Sequence, residues 1–166
     1  MYNTKGLIVA IFDKQILEIE GGYSNDLEDP GSETKYGISK RSYPNEDIRN
    51  MTPERATEIY LRDFWNPNNL QYVQDQTTAN IIFRFIVHAG AYTATSRLQV
   101  VLNSFTNSVT VDGKLGPKTV GFVNACIPLR LQDALRVSIC QYYLDIVNHN
   151  LSQEKYFKGW ITRALL

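Results

Sequence analysis

Residues 17–40 constrain the fold of this chain more than any other part of its sequence. Across residues 6–20, isoleucine and phenylalanine recur at three- and four-residue spacing, which predicts an amphipathic helix. Gly21 and Gly22 follow at once and can supply the left-handed residue that ends such a helix. Residues 23–39 combine acidic residues, an Asp-Pro-Gly turn and two tyrosines, which predicts a hairpin or an irregular loop.

Helix signals dominate the rest of the chain. Thr52 as N-cap and Pro53 at the first helical position predict a helix that continues to about Trp65. An Asp112-Gly113 turn is also expected. Further helices are predicted over residues 75–89, over 93–104, from Gly116-Pro117 onward, and over 128–149 and 154–165. The fold class is therefore mainly α: a helical bundle with one small β-hairpin or loop region after the first helix.

The composition excludes several partners. Seventeen basic and seventeen acidic side chains give a formal net charge of zero, so no global field attracts nucleic acid or an anionic membrane. No apolar stretch approaches the length of a membrane span, so we expect no stable membrane insertion. The first residues lack the features of a signal peptide, which predicts synthesis in the cytoplasm. Cys126 and Cys140 lie in helix-like segments, where we expect free thiols.

The available chemistry is that of carboxylates. His88 and His149 are far apart in the sequence, with no cysteine or carboxylate at metal-ligand spacing. The sequence also lacks a phosphate-binding Gly-rich loop and a nucleophile-elbow serine. We therefore expect no metal and no cofactor.

Glu20 is the candidate general acid. It falls on the last turn of the predicted first helix, where the helix dipole disfavours an anion by several tenths of a kcal/mol. That position and apolar neighbours would raise the pKa of the carboxyl group, as protonation of a glycosidic oxygen requires. The alternative is a solvent-facing glutamate at a helix end.

Asp29 and Thr34 are the candidate partners of Glu20, since a loop that folds back over the helix end would bring them to face it. Asp29 could hold a water or stabilise positive charge on the sugar, and Thr34 could help to position that water. Asp26 and Glu28 compete with Asp29 for this role. Aspartate before Pro-Gly is also ordinary turn chemistry.

Three aromatic residues are candidate substrate-binding groups. Tyr23, Tyr36 and Trp65 could each present a flat face to a sugar ring. The competing interpretation is that they belong to the core, and we favour sugar binding most strongly for Tyr36. Glu18 lies about 200° round the predicted helix from Glu20 and is expected to be solvated.

Several motifs together resemble a known family. Glu20-Gly21-Gly22-Tyr23, Asn25-Asp26, Asp29-Pro30-Gly31 and "ETKYGISKRSYP" at 33–44 resemble the EGGY-signature lysozymes, glycoside hydrolase family 108, which are also labelled secretion activator proteins. Residues 98–125 and the ending "YFKGWITRALL" resemble the predicted peptidoglycan-binding region of the same family. The resemblance implies an α+β lysozyme-like fold, with a catalytic region at 1–90 and a peptidoglycan-binding helical region at 91–166, packed as one body.

The same resemblance implies an activity and a partner. The partner would be the glycan strands of peptidoglycan, cleaved at the β-1,4 bond between N-acetylmuramic acid and N-acetylglucosamine with Glu20 as the essential acid. The Glu, Asp, Thr order is similar to phage-type lysozymes, although their Asp-to-Thr spacing is one residue longer than that from Asp29 to Thr34. The family pattern more often has Asp and Asn at the positions of Arg84 and His88, so we assign neither a role.

Two other functions remain open at this point. One is a non-catalytic wall-binding or secretion-assisting protein, and the other is a lytic transglycosylase that uses Glu20 alone. An intact Glu20 with its two glycines favours the hydrolase, because a binding protein has no need of an acid at an unfavourable helix end.

Overall fold

The structure is a computed structural model that describes residues 24–25 and 33–165. The helix predicted over residues 6–20 lies outside the described residues, as do Glu20, Tyr23 and Asp29. The chain divides into two compact units, Met1–Arg62 and Asp63–Leu166.

The first unit contains a small antiparallel sheet of three short strands. These are β1 (Ser24–Asn25), β2 (Glu33–Lys35) and β3 (Ile38–Ser39), in the order β1-β2-β3. Ser24 pairs with Thr34, and Thr34 pairs on its other side with Ser39. The sheet confirms the β region predicted between residues 23 and 39 and consists of two successive hairpins.

The hairpin that joins β2 to β3 has a two-residue turn. Lys35 pairs with Ile38, so Tyr36 and Gly37 form the turn, with φ angles of 51° and 72°. Positive φ at both central positions is the requirement of a type I′ turn, whose twist matches that of the flanking strands. Such turns favour Asn-Gly, so a tyrosine in the first position is unusual.

The helix α1 (Pro53–Tyr60) begins as predicted. The Thr52 side chain accepts a hydrogen bond from the Arg55 backbone N–H, and Pro53 occupies the first turn. The chain continues as a π-helical turn over Leu61–Trp65, whereas the sequence predicted a continuous α-helix. A π-helical turn has no distinct apolar periodicity over five residues, and it forms where packing favours it.

The second unit is helical. Its helices are α2 (Gln76–Ala89), α3 (Ala91–Thr106), α4 (Pro117–Ala125), α5 (Pro128–His149) and α6 (Glu154–Leu165), with short 3-10 turns at Leu70–Tyr72 and Leu151–Gln153. The last two helices have the predicted bounds, and α3 begins two residues earlier than predicted, directly after Gly90. Together with the sheet, these helices confirm the mainly α fold class.

Two of these helices, α2 and α5, run in the same direction. Near their beginnings, the Gln132 Nε2 donates to Thr78 Oγ1 over 3.3 Å. Near their ends, the ring centroids of Tyr143 and His88 are 5.2 Å apart. The core of the unit forms around these helices and α3, with Leu98, Leu102 and Leu131 no more than 1% exposed.

Cys126 and Cys140 are free thiols, as predicted. Among the described residues, we find no helix with the length and apolar character needed to cross a membrane.

Candidate active site

The sheet of the first unit places Thr34 beside the strand that follows the Glu-Gly-Gly-Tyr motif. β1 begins at Ser24, the residue immediately after Tyr23, and Ser24 pairs directly with Thr34. Paired residues of antiparallel strands have Cα atoms about 4.5–5.5 Å apart. The connection between β1 and β2 contains Asp29. Two candidate groups therefore belong to the hairpin whose first strand begins four residues after Glu20.

Tyr36 lies at the tip of the second hairpin in a strained backbone conformation. The left-handed conformation costs a non-glycine residue about 1–2 kcal/mol, and Tyr36 adopts it with φ of 51°. The buried Tyr60 Oη donates a hydrogen bond of 2.9 Å to the Tyr36 carbonyl oxygen. This bond helps to hold the tip in place.

A lysine lies against the Tyr36 ring. The Lys35 ammonium is 5.5 Å from the ring centroid and donates a 3.0 Å hydrogen bond to the Arg49 carbonyl oxygen. The cation and the aromatic face attract each other. Because the Tyr36 side chain is half-buried, part of it remains accessible to a ligand.

Trp65, by contrast, is only 2% exposed, and its ring centroid is 5.7 Å from that of Phe83. This burial favours the core role that we weighed against sugar binding. A sugar-binding role for Trp65 stays a prediction.

Four of the described carboxylates of the first unit have partners of their own: Glu46, Asp47, Glu54 and Glu58. Glu46 and Glu58 bind Arg55 at 2.6 and 2.8 Å. Hydrogen bonds from the Asn50 side chain and backbone lower the pKa of Asp47. Hydrogen bonds from its own backbone N–H and from Thr52 lower the pKa of Glu54. A general acid needs a raised pKa, so Asp47 and Glu54 are poor candidates for it, while Glu46 and Glu58 are engaged by Arg55.

Tyr60 is the residue of this region that sequence reasoning missed. It lies on the apolar side of α1, where its 3% exposure resembles that of any core residue. No local pattern distinguishes it, because its hydrogen-bond partner is 24 positions earlier in the chain.

Comparison with known families decides the identity of the chain. A model described as Glycosyl hydrolase 108 matches residues 14–90, and one described as Predicted Peptidoglycan domain matches residues 93–165. The chain carries a glycosyl hydrolase 108 domain followed by a predicted peptidoglycan domain. The first domain makes it a glycoside hydrolase, and the second supports peptidoglycan as its substrate. A peptidoglycan hydrolase acts at the cell wall.

A solved structure shares the fold. The structure titled "Structure of Brucella abortus SagA" matches with a TM-score of 0.74 at 24% sequence identity, over 96% of this chain and 90% of that one. A comparison with curated proteins gave no match. The two family matches meet near residue 90, whereas the compact units divide after Arg62, so the division into residues 1–90 and 91–166 stays a prediction.

Proposed function

We propose that this family 108 hydrolase is an N-acetylmuramidase that cleaves the β-1,4 bond between N-acetylmuramic acid and N-acetylglucosamine. Glu20 protonates the glycosidic oxygen as the bond to the leaving sugar breaks. The residues 14–90 that match the family model include the Glu20-Gly21-Gly22-Tyr23 motif, which supports this assignment.

The observation that carries the proposal is the pairing of Ser24 with Thr34. It makes the segment after Glu20 and the strand that carries Thr34 neighbours in one sheet, with Asp29 in the connection between them. In the proposed mechanism Asp29 accepts a proton from the attacking water or stabilises the positive charge on the sugar, and Thr34 helps to position that water. Tyr23 and Tyr36 support the sugar rings.

The strain at Tyr36 supports its role in binding. A backbone conformation that costs free energy persists only when the surroundings hold it, and such residues concentrate at functional sites. An Asn-Gly turn would give the same hairpin without the strain. The position therefore has a tyrosine in spite of the backbone strain, which a role for the side chain would explain. A flat aromatic ring suits a sugar.

The proposal is tested by a matched pair of glutamate variants. Glu20→Gln removes one titratable proton and little volume, so we expect loss of turnover with a nearly unchanged thermal midpoint. Glu18→Gln makes the same chemical change elsewhere on the predicted helix and should retain full activity. Clearing of a peptidoglycan suspension and thermal unfolding provide the two readouts. Wild-type clearing by Glu20→Gln would refute the assignment.

A further inference from the structure

Two arginines lie at the same level of the second unit. Arg84 is on α2 and Arg136 is on α5, and these helices are parallel. The hydrogen bond between Thr78 and Gln132 fixes a common starting level for the two helices. Arg84 lies about 9 Å beyond Thr78 along α2, and Arg136 lies about 6 Å beyond Gln132 along α5. Besides burial, the positive charge of Arg136 is what lowers the pKa of Arg84.

Neither charge is well compensated. Within the part of the chain that the structure describes, the half-buried Arg84 makes no hydrogen bond and no ion pair. Arg136 reaches the Asp133 carboxylate at 3.5 Å, but the Asp133 side chain is 69% exposed. The buried Nε of Arg136 has no hydrogen-bond partner among the described residues. Arg97 shows the contrast, since it binds the Asp145 carboxylate at 3.0 Å and the Ser138 carbonyl at 3.1 Å.

The arrangement is electrostatically unfavourable in the absence of an anion. Burial lowers the pKa of Arg84, and the positive charge of Arg136 lowers it further. One turn along α2, burial and the charge of Arg163 lower the pKa of His88. A half-buried charge without a partner carries a desolvation cost, and a like charge nearby adds to it. A bound anion would offset both.

We propose that Arg84 and Arg136 bind a carboxylate of the peptide stem of peptidoglycan. The guanidinium group presents N–H donors in a planar fork that fits a carboxylate, and the unpaired Arg84 and the free Nε of Arg136 offer such donors. Peptide stems carry several carboxylates, whereas unsubstituted N-acetylglucosamine carries none. Arg84 falls in the first family match and Arg136 in the second, so both regions contribute to the site.

This inference rests on the proposed function only in taking peptidoglycan as the ligand. It assigns a role in recognition, separate from the chemistry of Glu20. An enzyme that reads the peptide stem would prefer glycan strands that carry peptides over strands from which the peptides have been removed.

The test is calorimetric titration of the full chain with a free stem tetrapeptide, L-Ala-γ-D-Glu-diaminopimelate-D-Ala. Wild-type protein should bind it, and Arg84→Met should bind it at least about tenfold more weakly, as expected for loss of a charge-assisted contact. The control Arg130→Met removes an exposed arginine from the same helix as Arg136 and should change affinity less than about twofold. Equal losses in the two variants would overturn the proposal.

Two further probes identify the ligand chemistry. The same tetrapeptide with its carboxylates converted to amides should not bind, and inorganic phosphate should bind much more weakly than the acid form. Equal binding of the amidated peptide would refute a carboxylate site. Equal binding of phosphate would refute a site for the peptide stem.

Stability gives an independent readout. Arg84→Met should raise the thermal midpoint of the unliganded protein, because it removes a poorly compensated charge, whereas Arg130→Met should lower it slightly through loss of its contact with Phe105. Arg84→Lys keeps the charge and should still lose most of the affinity, because the fork is absent. A lower midpoint for Arg84→Met together with wild-type affinity would overturn the proposal.

The two proposals can fail separately. Glu20→Gln should bind the tetrapeptide as the wild type does. Full wall-clearing activity in that variant would refute the muramidase assignment and leave the arginine site intact. Failure of the wild-type protein to bind the tetrapeptide would refute the arginine site and leave the muramidase assignment intact.

Discussion

Two short turns of this protein, Tyr36-Gly37 and Asp112-Gly113, are held in opposite ways. Asp112-Gly113 places its left-handed residue at glycine, with φ of 71°, and the fully buried Gln99 side chain supports it. The Gln99 amide donates to Asp112 Oδ1 at 2.7 Å and accepts from the backbone N–H groups of Asp112 and Gly113 at 3.0 and 2.9 Å. Tyr36-Gly37 places a tyrosine in the left-handed conformation.

Packing alone explains the residues of the Asp112-Gly113 turn, whereas a proposed role in substrate binding explains the tyrosine of the Tyr36-Gly37 turn. The Asp112-Gly113 turn uses residues that suit its backbone, and one buried amide satisfies its donors, so packing explains it completely. The Tyr36-Gly37 turn keeps a residue that its backbone disfavours, with Tyr60 to hold it. The first turn should therefore respond to substitution in stability, and the second in activity.

The largest expected effect is that of Gln99→Ala. It removes the fully buried amide that binds two backbone N–H groups and one carboxylate, so the free energy of unfolding should fall by about 3 kcal/mol. Gln141→Ala is the control, because Gln141 is exposed and bonds only to the Asp145 side chain among the described residues; it should cost under about 0.5 kcal/mol. Urea unfolding measures both. A fall in the free energy of unfolding of less than about 1 kcal/mol for Gln99→Ala would show that Gln99 does not hold the Asp112-Gly113 turn.

A pair of glycine substitutions should give opposite signs. Gly113→Ala forces a left-handed alanine whose Cβ would meet the Tyr92 ring, so we expect a loss of about 1–2 kcal/mol. Gly121→Ala lies in α4 with open space around it and should add about 0.5–1 kcal/mol. Thermal unfolding of both variants decides the matter, and destabilisation by Gly121→Ala would show that α4 is packed differently.

Tyr36→Asn should separate stability from activity. Asn-Gly is the preferred sequence of a type I′ turn, so the free energy of unfolding should rise by about 1 kcal/mol. Activity on peptidoglycan should nevertheless fall about tenfold, because the ring is lost. Tyr36→Phe keeps the ring and should change neither quantity much. If Tyr36→Asn were both more stable and fully active, the strain at Tyr36 would have no functional explanation.

Acid should loosen only one of the two turns. A hydrogen bond from the Gln99 side chain, followed by one from the Lys114 backbone N–H, lowers the pKa of Asp112. A lowered pKa in the folded state means that the carboxylate contributes stability above its ordinary pKa, and that this contribution is lost as the pH falls through the lowered value. A hydroxyl group, Tyr60 Oη, holds the other turn.

NMR titration can observe this difference directly. The amide signals of Gly113 and Lys114 should shift together with the Asp112 carboxyl group below pH 4, and those of Tyr36 and Gly37 should not follow it. Asp112→Asn should abolish the shift of the first pair. An Asp112 that titrates at or above the ordinary value for aspartate would contradict the hydrogen-bonding account.

Local signals made most of the helical framework predictable. Thr52-Pro53 and Gly116-Pro117 mark helix starts that the structure confirms, and the predicted bounds of α5 and α6 match the structure. The helix predicted over residues 75–89 ends at Ala89, and Gly90 alone separates it from the next helix.

Long-range contacts explain what the sequence did not predict. Gln99 reaches a turn 13 positions later, and the charge of Arg136 acts on Arg84 only because α2 and α5 pack in parallel. No window of a dozen residues contains either relationship. The sequence proposes the candidate site residues, which stay a prediction, whereas the pairing of Thr34 with Ser24 and the strain at Tyr36 required the structure.

We propose that this chain hydrolyses the bond that follows N-acetylmuramic acid. Mass spectrometry of the fragments released from purified peptidoglycan tests it most directly, with Glu20→Gln as the inactive control. We expect fragments that end in a reducing N-acetylmuramic acid, one water heavier than the corresponding anhydro form, and none from Glu20→Gln. Anhydro ends would identify a lytic transglycosylase, and reducing N-acetylglucosamine ends would place the cut at the other glycosidic bond; either result would refute the muramidase proposal.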